Sequence, residues 1–107
     1  RLEDGTIFQG ANQENAAFSA TLCAERTAIF AAQATQPEKA ICEIAIAAKN
    51  ADGFLPEPIS PCGSCRQVIV EMEQRYKRNI KVLMYGEKKV YIVSSIKDLM
   101  PLTFSEF

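Results

Sequence analysis

Hydrophobic positions recur at two different periods along this chain, and the two periods separate its strands from its helices. Cys42, Ile44, Ile46 and Ala48 alternate at period two, while Ala45 and Ala47 keep the other face apolar, which predicts a strand over 42–48 covered on both sides. Cys65, Val68, Ile69, Met72 and Tyr76 follow the spacing of a helical stripe, with Pro61 suited to the first helical position. Residues 22–34, rich in alanine and free of Gly and Pro, form a second helix by propensity, with Thr21 as its N-cap and Thr35-Gln36-Pro37 as its stop. Shorter apolar runs predict strands over 6–11, 80–85 and 90–93, the last two separated by a turn at Gly86. Polar stretches over 12–19 and 50–60 read as loops, the second marked by Gly53, Pro56 and Pro58. Ser95 and Asp98 make a weak capping box for a short helix that Pro101 ends. The order β-α-β-α-β-β-α predicts an α/β fold, a three-layer α-β-α sandwich with helices against a mixed sheet.

Length and charge narrow this picture. A chain of 107 residues suits one domain over 1–107 with a modest core. The sequence around Asp4-Gly5 reads as a hairpin turn followed by a full strand but preceded only by Arg1 and Leu2, so the domain is expected to lack a strand at its start. The 12 Lys and Arg nearly balance 13 Asp and Glu, which removes the electrostatic footprint of a nucleic-acid or membrane binder and favours a small, weakly charged ligand. No apolar run approaches the roughly 20 residues that span a bilayer, and no basic start leads into a secretory segment, so the expected location is cytoplasmic.

Four cysteines, at 23, 42, 62 and 65, stand out in such a chain, because structural disulfides are rare under reducing conditions. Cys62 and Cys65 fall in the first turn of one predicted helix and Cys23 in the first turn of the other, where exposed N–H groups and the helix dipole favour thiolate. Two such helix starts at the ends of neighbouring strands would supply three thiolates to one tetrahedral zinc and leave the fourth position open. Only an open position lets water bind and lose a proton near neutral pH. Glu25, two residues beyond Cys23, could stand over that water as a proton shuttle, and Arg26 could offset the net negative charge of zinc with three thiolates. Two other readings remain open for the cysteines: a thioredoxin-like disulfide in PCGSC, and a closed four-cysteine structural zinc that includes Cys42. Cys42 shares its strand face with Ile44 and Ile46, which suits a small buried apolar residue better than a ligand.

These residues also carry a family resemblance. CAERTA followed downstream by PCGSCRQ, with NQEN upstream, closely resembles the small, three-cysteine, homotetrameric class of cytidine deaminases, and the match runs along the whole chain. The resemblance implies that Cys23, Cys62 and Cys65 hold Zn2+, that zinc-bound hydroxide attacks C4 of cytosine, and that Glu25 carries protons from water to N3 and to the departing amine. It further implies that Asn12 and Glu14 bind the ribose, that the Ala24 N–H meets the base carbonyl, and that the Ser60 carbonyl accepts from the exocyclic amine. Arg26 matches a family arginine that hydrogen-bonds the zinc thiolates. Phe104, in LMPLTF, matches an aromatic that reaches a pyrimidine, often in a neighbouring subunit. The family's early helix and first strand have no counterpart in the sequence, and Phe18 stands where the family usually has tyrosine.

The function so implied is hydrolytic deamination of cytidine and deoxycytidine to uridine and deoxyuridine in pyrimidine salvage, by a cytoplasmic homotetramer with a nucleoside substrate and no nucleic-acid or membrane partner. A related deaminase of a modified cytosine nucleoside such as blasticidin S shares the same motifs. A non-catalytic zinc-stabilised module is the reading from another class, and in it Glu25 would be dispensable.

Overall fold

The computed structural model of the protein describes residues 1–106. Its core forms where β1 (Glu43–Ile46) runs parallel to β4 (Lys81–Tyr85), which pairs antiparallel with β5 (Val90–Val93). The register sets Ile44 beside Val82 and Ile46 beside Met84, so the larger apolar side chains of β1 and β4 share one face. Ile29 and Ala32 of α1 (Ala24–Thr35) and Ile69, Val70 and Met72 of α2 (Gly63–Tyr76) are buried in one cluster with that face. Burying an aliphatic side chain of this size stabilises by about 1.5–3 kcal/mol. The helical stripe read from sequence is therefore the stripe that packs.

The sheet is mixed and the class is α/β, as the sequence predicts, but β1 is not covered along its whole apolar run. α1 and α2 touch one another and share the buried cluster, whereas Ala45 and Ala47 are exposed. An apolar run suggests two-sided burial by pattern alone, yet an alanine methyl can stand at a surface at little cost.

Residues 6–11 form no strand. The Asp4-Gly5 turn is made as the sequence predicts, with the Leu2 N–H donating to the Thr6 carbonyl at 2.9 Å and the Thr6 N–H to Asp4 Oδ1 at 3.0 Å. Beyond it no ladder forms, and a cavity of about 600 Å³ is lined by Ile7, Phe8 and Gly10 together with Ile44, Ala45 and Ile46. A strand is defined by its partner's hydrogen bonds, which a period-two pattern cannot supply. Within the expected loop over 50–60 there is instead a short hairpin, β2 (Lys49–Asn50) and β3 (Gly53–Phe54), closed by an Asp52 N–H donating to Asn50 Oδ1 and by Gly53 at φ +113°.

The path from this hairpin to α2 is fastened to the β4–β5 turn. Glu87 and Lys88 donate their N–H groups to the Leu55 and Pro56 carbonyls, each at 3.0 Å. A Cβ on Gly86 would lie 2.5 Å from the Pro58 nitrogen, so only glycine admits this approach. The loop reaches Ser60 along a fixed route.

After β5 a 3-10 helix spans Ile96–Leu99, capped as predicted by Ser95, whose Oγ accepts from the Lys97 N–H at 3.2 Å. Its anchor is a residue that the stripe did not mark. Glu73 is 6% exposed, and its carboxylate accepts from the N–H groups of Ile80 (2.8 Å) and Ile96 (3.1 Å) and from the Ser95 hydroxyl. Glu73→Ala would leave these buried donors without an acceptor, at about 1–3 kcal/mol for each stranded group. A fall of roughly 3–5 kcal/mol in unfolding free energy is expected from denaturant titration, with Glu73→Gln recovering part of it.

Candidate metal centre

Both cysteine-bearing helices begin later than their sequences predict. Thr21 does not cap α1. Its hydroxyl donates to the Phe18 carbonyl, and Leu22 is held out of the helix by paired backbone hydrogen bonds with Gln13, at 2.9 and 3.0 Å. Cys23 becomes the N-cap, and the first helical N–H, that of Ala24, donates to Asn12 Oδ1 at 2.9 Å. The amide of a distant loop thus does what a local threonine was expected to do. Likewise Pro61 precedes α2 without entering it, and Cys62 is the N-cap.

This places Cys23 and Cys62 at matching positions of two helix starts, with Cys65 in the first turn of α2. Their sulfurs meet. Cys23 Sγ lies 3.5 Å from Cys62 Sγ, Cys62 Sγ lies 3.6 Å from Cys65 Sγ, and all three fall within 4.8 Å of one another. Tetrahedral zinc with Zn–S bonds of about 2.3 Å holds its sulfurs about 3.8 Å apart, so the three fit one zinc ion. Cys65 is buried, Cys23 half-buried and Cys62 exposed, so the cluster reaches the surface through Cys62. All four cysteines are free thiols, and Cys42 stands outside the cluster on β1's approach. A third sulfur against the Cys62–Cys65 pair favours metal over a simple dithiol couple.

Charge around the cluster is arranged to match. Arg26 Nη2 donates to Cys23 Sγ at 3.5 Å, and hydrogen bonds to the Cys23 and Cys65 sulfurs raise the guanidinium's pKa. Arg26 Nε is buried and finds no acceptor among the described residues, so the sulfurs, and not a partner of Nε, set how the guanidinium lies. The Cys65 N–H pulls the Cys62 thiol down, ahead of an opposing push from desolvation. Burial pushes the Cys65 thiol up to about 12, with Arg26 acting in the opposite sense and the Glu25 charge adding to the push. A zinc ion bound here would override both, because coordinating thiols bind as thiolates. The Arg26 cation would then offset the net negative charge of a three-thiolate site.

The model for the cytidine and deoxycytidylate deaminase zinc-binding region matches residues 2–82. The chain belongs to this deaminase family. It is 49% identical over 106 residues to the cytidine deaminase of Sporosarcina psychrophila, covering 97% of this chain and 70% of that protein. To the cytidine deaminase of Halalkalibacterium halodurans it is 35% identical over 105 residues, covering 98% and 67%. The crystal structure of cytidine deaminase from Burkholderia pseudomallei superposes with a TM-score of 0.75 at 36% identity, over 96% of this chain and 76% of that one. As a member of the deaminase family the chain carries a zinc-binding region, and its three-cysteine cluster lies inside the matched span.

The other expected site residues of this deaminase domain divide into two groups. Glu25, in the first turn of α1, lines the cavity together with Ala24, whereas none of the three clustered cysteines does. Asn12 and Ala24 are joined to each other, so a base carbonyl could take the Ala24 N–H only as Asn12 Oδ1 released it. Glu14 and Ser60 are exposed, and Ser60 Oγ accepts from Arg66 at 2.8 Å. Phe104 does not line the cavity. It follows α2, its carbonyl accepting from Gln67 Nε2 at 3.0 Å and the residue 65% exposed.

Gly10 was missed by the sequence reading, although a glycine inside a strand-like run signals close backbone approach. A Cβ there would lie 2.5 Å from the Ala24 carbonyl oxygen and 2.6 Å from the Ala28 nitrogen, both backbone atoms of α1. Gly10→Ala must therefore displace the helix start that carries Cys23 and Glu25. It is expected to lower stability by about 1–3 kcal/mol. Zinc content measured per folded chain should fall with it.

Proposed function

We propose that the protein is a zinc-dependent hydrolase that converts cytidine and deoxycytidine, with water, to uridine and deoxyuridine plus ammonia. The observation that carries this reading is the three-sulfur cluster with a carboxylate beside it, Glu25, which follows Cys23 by two residues in the first turn of α1 and whose charge acts on the Cys65 thiol. A zinc ion held by Cys23, Cys62 and Cys65 would supply a Lewis acid that brings water's pKa toward neutrality. Glu25 takes one proton from the attacking water and delivers it to N3 of the ring, then takes the second from the hydroxyl formed at C4 and passes it to the departing 4-amino group, so that the C4 carbonyl forms as ammonia leaves. Arg26 holds the Cys23 sulfur and balances its charge.

Binding is assigned to polar groups around that centre. The Asn12 amide retains two N–H donors for a ribose hydroxyl even while Oδ1 holds the Ala24 N–H, and Glu14 supplies an acceptor. The Ser60 carbonyl accepts from the 4-amino group, and the Ala24 N–H donates to the base carbonyl once Asn12 turns away. Phe104 is assigned to the pyrimidine of a neighbouring subunit. Exposed Val90, Tyr91 and Ile92 on β5, with Leu102 and Phe104 beyond it, support assembly into a homotetramer. The free thiols support a reducing, cytoplasmic setting, in which the reaction serves pyrimidine salvage. Among the described residues no helix is long and apolar enough to cross a membrane.

The test is incubation of the zinc-loaded chain with cytidine and deoxycytidine, following ammonia and the uracil nucleosides together. Equimolar release of both products is expected. A fully metallated protein that releases neither would sink the reading, and release from blasticidin S alone would move it to modified cytosine nucleosides.

A further inference from the structure

The residue after the second ligand of α2, Arg66, has no role in the chemistry proposed above, yet its guanidinium engages three separate acceptors. Its Nε donates to the Pro61 carbonyl at 2.8 Å, its Nη2 to Ser60 Oγ at 2.8 Å, and its Nη1 to the Leu99 carbonyl at 2.7 Å. Its backbone N–H donates to the Cys62 carbonyl at 2.9 Å. One planar group thus grips both residues that lead into Cys62 and ties them to the last residue of the Ile96–Leu99 helix.

The far end of that tie is itself anchored. The first residue of the same 3-10 helix, Ile96, donates its N–H to the buried carboxylate of Glu73, which lies about two turns further along α2 than Arg66. The 3-10 helix is therefore pinned to α2 at both ends, and Arg66 transmits its position to Ser60 and Pro61. The Gly86 contact fixes the same loop from the other side, at Pro56 to Pro58. Between these two fastenings the Ser60–Pro61 peptide has little freedom left.

We infer that Arg66 is a positioning residue, a clamp that sets the direction of the Ser60 carbonyl and the placement of the Cys62 sulfur at the metal centre. Its effect on substrate rests on the deaminase reading, whereas its effect on Cys62 does not. The guanidinium suits the task because its donors are held in one rigid plane and can serve three acceptors at once. A lysine ammonium keeps the charge but has no fixed fork, so it retains only part of the clamp.

The test uses zinc-loaded wild type, Arg66→Lys and Arg66→Met, with the rate of zinc transfer to a chromogenic chelator measured beside kcat and KM for cytidine. Loss of groups that orient metal ligands commonly weakens metal binding about 10–100-fold, so Arg66→Met is expected to release zinc at least about tenfold faster, with Arg66→Lys between it and wild type. KM for cytidine is expected to rise roughly tenfold in Arg66→Met, as one well-aimed hydrogen bond is lost. Tyr76→Phe, which deletes the 2.6 Å hydrogen bond to the Pro37 carbonyl at the other end of α2, controls for lost stability. Zinc release that is unchanged in both Arg66 variants, or no faster than in Tyr76→Phe, overturns the clamp. If Arg66→Met does not fold, Arg66→Lys and Ser60→Ala, which removes one acceptor, decide the matter by the same rates. A wild type inert toward cytidine whose Arg66 variants still shed zinc faster would remove the deaminase reading and leave the clamp standing.

Discussion

Glu25→Gln is expected to keep its zinc and to lose cytidine deamination by roughly 10²–10⁴-fold in kcat, the range that a positioned general acid–base group contributes. The two side chains have nearly the same size, so packing at the first turn of α1 is preserved, and the cysteine cluster, to which Glu25 contributes no sulfur, is untouched. What changes is proton traffic. An amide can neither accept the proton from water nor return it to N3 and the leaving amine, so each transfer assigned to Glu25 fails together. The measurement is ammonia release at saturating cytidine, with zinc quantified on the same sample. Full activity in a zinc-loaded variant would show that the carboxylate is an ordinary helical charge and would favour a non-catalytic zinc module. Loss of zinc along with activity would show that Glu25 supports the metal and would leave its role in proton transfer without evidence.

Much of this was legible because the chemistry is local in sequence. CAE and PCGSC each place their groups within one helical turn, so the approach of Cys62 to Cys65 needed no knowledge of the fold. The meeting of Cys23 with that pair did need it, and came from assuming that two helix starts lie at adjacent strand ends. Less legible were features that depend on a partner distant in the chain. Asn12 completes the start of α1, which no reading of Thr21 could reveal. Residues 6–11 alternate like a strand but lack a ladder, and Ala45 and Ala47 are apolar without being covered. Glu73 and Arg66 look like solvated helical charges in sequence, because nothing in a helical period says that a glutamate will accept from Ile80, Ser95 and Ile96, or that an arginine will reach Leu99. Periodicity reports which face is apolar. It is silent on which polar groups a buried backbone will need.

The same distinction between local and distant partners governs what happens when the cysteines are replaced one at a time. Cys65→Ser should abolish stoichiometric zinc binding and deamination, because a neutral hydroxyl is a poor substitute for thiolate and loss of a ligand exceeds the roughly 10–100-fold cost of disturbing a ligand's supports. It should also weaken the metal-free fold by about 1–3 kcal/mol, since Cys65 is fully buried and the hydroxyl would need a partner there. Cys62→Ser should lose zinc to the same degree with little effect on the metal-free fold, because Cys62 is exposed. Cys42→Ser should keep both zinc and activity. Metal analysis together with unfolding midpoints, taken with and without added zinc, separates the three outcomes. Loss of zinc in Cys42→Ser would instead mean a closed four-thiolate site, which has no position for water and therefore no route to hydrolysis through the metal. The pattern across the three variants thus tests the open coordination position itself, on which the assignment of Glu25 as a proton shuttle depends.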